Sequence, residues 1–408
     1  MKKKIAFYCA HSFALYDVFP LFNNYDIEEN DIYIITKKKY YRLVKEVFGI
    51  NDDKIYFIDD YVNKIGSYFT YWFTLLFVSE DFSELYQDRR KIKYSNFQLR
   101  ISNYLKVLNL KNNKVNTTYS KVINLFYKLS LMKSFPKDFD KVYVVTKVFH
   151  PYLLSVYEDK IHLIVESWDH PSKEPFLLNP FSVESWNESL NNELVKYQFY
   201  YNTTIGKALK FRYIEEYNKT YDEEVLNHDE IKDIEFVKNN DVAIYPICCS
   251  SSYFSFSEEL RFVKDLALKL DKENIKLYVR PYPLAPYNDV AALKEIENVK
   301  VGIGNKLIDG LEVFDISHML HKYLIIKHAK YVINLGTTFV FDAALVHSKC
   351  KIIQLKIDMK TYGDLGAYTS GTHVTNYLHV SSTQDFINFN PLKGDNSFKK
   401  YLKNWLNS

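Results

Sequence analysis

The amino-acid sequence predicts an α/β protein built from two doubly wound parallel sheets. Three observations carry this. Short runs such as KIAFYCA and KVYVVT are apolar throughout rather than alternately, the pattern of parallel strands covered on both faces. Helical patterns separate these runs, and a strand that crosses over through a helix returns parallel to the first. The length, 408 residues, corresponds to two or three domains at about 150 residues each.

The first set of strands falls at residues 4–10 (KIAFYCA), 31–36 (DIYIIT), 54–58 (KIYFI), 141–146 (KVYVVT) and 162–166 (HLIVE). The start, MKKKIAFYC, has the basic opening of a signal peptide, but polar His11 and Asp17 interrupt it too soon for a secretory apolar segment, so it reads as a strand. Residues 69–131 read as mostly helical. Residues 207–240 are charged and poor in strand character, and read as linker plus helix. A second set begins with 241–246 (DVAIYP), followed by an amphipathic helix over 258–270 and strands at 275–279, 299–302 and 331–334. A helix over 338–346 and a strand at 351–355 follow, and residues 397–408 read as a terminal helix. The expected division is one domain over 1–225, a second over 226–385, and a terminal segment over 386–408. Together the two Rossmann-like domains are expected to face a cleft.

Composition removes several functional classes. The formal net charge is +3, which leaves no electrostatic footprint for nucleic acid. With 47% hydrophobic residues the chain is expected to fold rather than remain disordered. Four cysteines, none in a CxxC pair, argue against a disulfide framework and a zinc site, and suit reduced thiols in a cytoplasmic protein. Glycines number 11, against about 7% of residues usually, so glycine-rich phosphate cradles are not expected. The uncharged aromatic stretch 65–79 is shorter than the roughly 20 residues needed to span a bilayer. It reads as a core helix, or as a peripheral contact at the inner face of the cell membrane.

In open parallel sheets ligands sit beyond the carboxyl ends of the strands, so the residues there are the candidates. Arg280 is one of only seven arginines and ends the 275–279 strand within Arg280-Pro281-Tyr282-Pro283. A guanidinium there can grip phosphate in bidentate fashion, where a rigid solvated turn is the plain alternative. After 331–334 come Gly336, Thr337, Thr338 and Asp342. Hydroxyls and backbone N–H groups at that helix start suit phosphate, and Asp342, four residues on from Thr338, suits ribose hydroxyls. Ser250 and Ser251, in the CCSSS run after 241–246, are a weaker phosphate candidate. In the first half, Glu166, Asp169 and His170 gather acid/base groups at the end of the HLIVE strand, and His11 with Asp17 is a second such pair. A turn capped by Asp169 is the structural alternative.

These residues, from the Arg-Pro strand end through the small-hydroxyl-hydroxyl helix to the SWDHP segment (167–171), resemble GT-B glycosyltransferases of bacterial surface-polysaccharide synthesis. The resemblance is to the CMP-sugar transferases and the related CDP-glycerol glycerophosphotransferases, and it covers most of 141–360. It implies an N-terminal domain that holds the acceptor and a C-terminal domain that holds a nucleotide-sugar, with the terminal helix packing back on the first domain. It implies that Arg280 and Tyr282 face phosphate, that Thr337 and Thr338 bind it, that Asp342 contacts ribose, and that Asp169, or else Glu166, His170 or His11, is the base. Tyr282 stands where the family often has His, and Asp342 where it often has Glu. Such enzymes generally work without a metal or other cofactor. The expected partners are a nucleotide-sugar donor and a glycan or lipid-linked acceptor. Transfer of glycerophosphate from CDP-glycerol, and a non-catalytic nucleotide- or glycan-binding module, are the competing expectations.

Overall fold

The computed structural model describes residues 2–9, 29–61, 138–145, 160–165, 182–186, 188–193, 202–206, 209–247, 256–282, 290–303, 306–308, 311–313, 316–334, 337–346, 350–357 and 384–389, with single positions 125, 132, 136 and 157. The chain divides into two compact units, Met1–Lys210 with Ile308–Leu311, and Phe211–Leu307 with Glu312–Ser408. Residues 211–217 pack with the second unit: Tyr213 hydrogen-bonds to Asp342, and Tyr217 donates to the Ile316 carbonyl at 3.3 Å.

The first unit contains β1 (Lys3–Cys9), β2 (Asn30–Thr36), α1 (Tyr41–Phe48), β3 (Ile55–Phe57), β4 (Lys141–Val145), β5 (Ile161–Ile164), β6 (Ser182–Ser185), α2 (Glu188–Glu193) and β7 (Thr203–Ile205). Its sheet runs β3-β2-β1-β4-β5-β6-β7, and every pairing is parallel. The central strands are buried along most of their length, as their unbroken apolar sequences require. β6 and β7 alternate or turn polar because they approach the sheet edge.

The second unit contains α3 (Arg212–Tyr217), α4 (His228–Asn239), β8 (Val242–Pro246), α5 (Phe256–Asp271), β9 (Lys276–Arg280), β10 (Val299–Val301), α6 (Ile316–His328), β13 (Tyr331–Asn334), α7 (Phe339–Leu345), β14 (Lys351–Ile357) and β15 (Gln384–Phe389). β11 (Lys306–Ile308) and β12 (Leu311–Val313) pair with each other in a separate two-stranded sheet. The main sheet runs β10-β9-β8-β13-β14-β15, again parallel. β15 lies in the segment expected to end the second domain and open the terminal one. Here it hydrogen-bonds to β14, at the edge of the second sheet.

Strand alternation sorts the side chains of β9 between two layers. Leu277 and Val279 join Phe262, Val263, Leu266 and Leu270 of α5 in one core cluster. Tyr278 points the other way, donating to Asp233 of α4 at 2.8 Å. Burying each such Leu, Val or Phe contributes about 1.5–3 kcal/mol. Arg280 shares the parity of Tyr278 and so faces the layer that holds α4 and α6. The order of strands reverses between β8 and β13, the switch point where open α/β sheets bind ligands.

Candidate functional site

The candidate site lies at the carboxyl edge of the second sheet, on the α4/α6 face. Arg280 is the last residue of β9, and Pro281 ends the strand behind it. The guanidinium rests over the Phe339 ring, its central carbon 5.3 Å from the ring centroid. No carboxylate pairs with it among the described residues. Arg280, His318, His321, Lys322 and Phe339 line one small pocket with Ile303, with room for about one water.

Three of these groups come from one helix. α6 is buried along most of its length, polar residues included: His318 and His321 lie inside with Leu320, Tyr323, Leu324, Ile325 and Ile326. His318, His321 and Lys322 occupy its first two turns at spacings of three and four, so they share a face. Basic side chains are disfavoured near a helix N-terminus by the axial dipole. Here that end is enriched in them, against the local preference.

Two buried carboxylates flank the pocket. Asp342, on α7, accepts hydrogen bonds at Oδ1 from Lys322 Nζ (2.8 Å) and from the Tyr213 hydroxyl. Burial, and then the Asp342 carboxylate, push the Tyr213 phenol well above its ordinary range. Asp233, on α4, is 1% exposed. Its Oδ2 accepts from Tyr278 OH (2.8 Å) and from the backbone N–H of Ile303 (3.0 Å), and Oδ1 pairs with Lys300 Nζ at 3.0 Å. His321 Nε2 lies 3.4 Å from Oδ2, an electrostatic contact rather than a well-formed hydrogen bond. Burial acts to raise the Asp233 carboxyl, but the contacts with His321, Tyr278, Ile303 and Lys300 outweigh it and hold it below its usual range. The His318 imidazole is pushed well below its ordinary value by burial, then by Arg280, His321 and Lys322, and is neutral at pH 7.

Local sequence fixes these positions. Asn227 caps α4 in a reciprocal capping box: its side chain accepts from the N–H of Asp229 (3.0 Å) and Glu230 (3.1 Å), and Glu230 accepts from Asn227 N–H at 2.9 Å. Asp233 follows Glu230 by three residues and so points toward β9. Gly302 follows β10 where the Tyr278 hydroxyl approaches. A methyl group there would occupy the space of that hydroxyl.

The structure brings Arg280 near Asp342 through Lys322 and Phe339, and separates other expected site residues. Tyr282 packs half-buried against the α5-side core cluster. The Thr337 hydroxyl and N–H both turn back to Asn334 Oδ1, at 2.7 and 3.2 Å. Thr338 is the N-cap of α7 without a side-chain capping bond, and it is exposed. Asp342, expected at ribose hydroxyls, has Oδ1 engaged by Lys322 and Tyr213. Gly336, Ser250, Ser251, Glu166, Asp169, His170, His11 and Asp17 lie outside the described residues, as do 65–79 and 397–408. Among the described residues no helix is long and apolar enough to cross a membrane. His318, His321, Lys322, Tyr213 and Asp233 escaped the sequence reading. The HMLHK run at 318–322, two imidazoles and an amine on one helix face, is the signal that would have found the first three.

No family model matches the chain, and no curated protein matches it. Solved structures do. A protein of Listeria monocytogenes, provisionally assigned as a UDP-N-acetylglucosamine 2-epimerase, aligns with a TM-score of 0.50 at 12% identity, over 100% of this chain and 89% of that one. The UDP-GlcNAc 2-epimerase of Methanocaldococcus jannaschii, solved with UDP-GlcNAc and UDP, gives 0.48 at 10% identity, over 100% and 93% of the two chains. The heptosyltransferase WaaC of Escherichia coli, solved with ADP, gives 0.39 at 11%, over 98% and 99%. At these identities the likeness is one of fold, and with the two parallel sheets it makes this chain an α/β protein of the GT-B fold.

Proposed function

We propose that the chain is a glycosyltransferase that takes sugar from a nucleotide-sugar donor and passes it to a hydroxyl of a cell-surface glycan or glycolipid. A CMP-sugar is the favoured donor over UDP- and GDP-sugars. The supporting observation is Arg280: a half-buried guanidinium with no carboxylate partner among the described residues, at the carboxyl end of β9, one strand from the switch point of the sheet. An uncompensated cation at that place suits a ligand phosphate.

In the proposed reaction the acceptor oxygen bonds to the sugar carbon, the bond from that carbon to phosphate oxygen breaks, and a side-chain base takes the hydroxyl proton. Arg280 stabilises the charge that builds on the departing phosphate, which needs no metal. Asp169 is the preferred base, with Glu166, His170 and His11 as alternatives. Asp342 supports the site through Lys322.

A thermal-shift comparison of CMP, CDP, UDP and GDP tests the donor class, because a ligand that binds the native state raises the melting temperature. One nucleotide is expected to stabilise the protein. Arg280→Ala should then weaken its binding by about 1.5–3 kcal/mol, the worth of a charged hydrogen bond. Asp169→Ala should abolish transfer while leaving nucleotide binding in place. Absence of stabilisation by all four nucleotides, together with absence of nucleotide release from their sugar conjugates, overturns the reading. Glycerophosphate transfer from CDP-glycerol, or conversion of UDP-GlcNAc without an acceptor, would redirect it to a different reaction on the same fold.

A further inference from the structure

We propose that the pocket beside Arg280 is a phosphate site that takes up a proton on His318 as it fills. The proposal rests on the nucleotide reading above and adds how the site recognises charge. Two cations bear on His318, Arg280 on β9 and Lys322 on its own helix, and Tyr278 of β9 lines the same pocket; behind them stand Asp342 on α7, held by Lys322, and Asp233 on α4, held by Lys300 of β10. His321 is the other titratable neighbour on α6. Asp342 is paired with Lys322 at 2.8 Å, and Asp233 with Lys300 at 3.0 Å. Among the described residues one positive charge, on Arg280, is left over. The terminal phosphate of a free nucleotide, such as the CMP released after transfer, carries about two negative charges near neutral pH. Arg280 alone therefore leaves roughly one charge of a bound phosphate uncompensated.

His318 is the group placed to supply the second positive charge. It lines the same pocket as Arg280, in the first turn of α6, where the helix dipole adds to the positive field at an anion. The pocket has room for about one water. It can therefore hold one phosphate oxygen beside the imidazole, while the rest of the group stands at the mouth under Arg280. Burial, and after it Arg280, His321 and Lys322, keep His318 neutral without ligand; a bound phosphate would offset the two cations among these and accept from the protonated ring. Binding then raises the proton affinity of the ring, and the proton comes from the buffer.

Isothermal titration calorimetry of the full chain with CMP, CDP, UDP and GDP tests this. Each titration is run at one pH above the phosphate's own ionisation, in buffers of differing ionisation enthalpy. The expected result is an enthalpy that varies with the buffer, with a slope of about one proton taken up per ligand bound. The dissociation constant should then rise with pH, approaching tenfold per pH unit. His318→Gln should still bind, more weakly, with the slope reduced toward zero. Binding with no buffer dependence in the wild-type protein overturns the proposal and leaves the nucleotide reading intact. An unchanged slope in folded His318→Gln also overturns it. No heat with any of the four nucleotides removes the nucleotide reading and this one together. If His318→Gln does not fold, the histidine ring carbon shifts of the wild-type protein report the same proton: one ring should become charged on saturation, and no change in any ring would sink the proposal.

Discussion

At the scale of single residues, the site is built from cations that the fold should avoid unless they are matched. Lys322 and Asp342 are both nearly buried, with 12% and 8% of their side chains exposed. Desolvating such a pair can cost more than the attraction returns, but breaking it leaves one charge stranded. Lys322→Met should therefore destabilise the protein by about 3–5 kcal/mol. Tyr213→Phe removes one hydrogen bond to the same carboxylate and should cost about 1.5–3 kcal/mol. Urea denaturation of both variants checks the order, and equal or reversed losses would show that Lys322 is not what compensates Asp342. Little of this was legible in the sequence. Arg280 stood out by rarity and by its place after an apolar strand. Lys322 is one lysine among many, and its partners Tyr213 and Asp342 lie 109 and 20 residues away, a proximity that only the folded chain creates.

At the scale of elements, legibility follows burial. The central strands β1, β4, β8 and β13 are covered on both faces, so their sequences are apolar without interruption and could be read directly. β6 (SVES), β7 (TTI) and β15 (QDFINF) lie toward or at sheet edges, mix polar with apolar residues, and carry no such run. α6 was missed because polar and apolar residues are mixed around ISHMLHKYLIIKH, so it lacks the separate apolar and polar faces that mark an amphipathic helix. β5 carries a pH-dependent weakness. His162 on this strand accepts or donates at Nδ1 to Ser182 Oγ at 2.6 Å, and burial, then Lys141, push its imidazole down to about 4. Its folded value thus lies below the unfolded value of about 6.5. Between these values the unfolded chain binds the proton and the folded chain does not, so stability falls as pH drops through that window. Denaturant midpoints of wild type and His162→Asn should converge in their pH dependence above the window and separate within it, with the variant less sensitive. Parallel curves across the whole range would rule out this role for His162.

At the scale of the molecule, two units each with its own parallel sheet and core need not unfold together. Scanning calorimetry should resolve two transitions, and a nucleotide that binds at Arg280 should raise the one belonging to the second unit more than the other. A single transition shifted as a whole would mean that the units unfold cooperatively. The repeated strand order has a consequence during synthesis. In the second sheet β8 pairs with β9 on one side and with β13 on the other, yet Tyr331 follows Pro246 by 85 residues. At roughly 5–20 residues per second, the ribosome leaves the open flank of β8 waiting about 4–17 s for its second neighbour. During that interval VAIYP presents unpaired main chain on an apolar ribbon; β1 waits longer still, since β4 starts 132 residues after Cys9, so each sheet leaves an open apolar edge that a chaperone would have to shield.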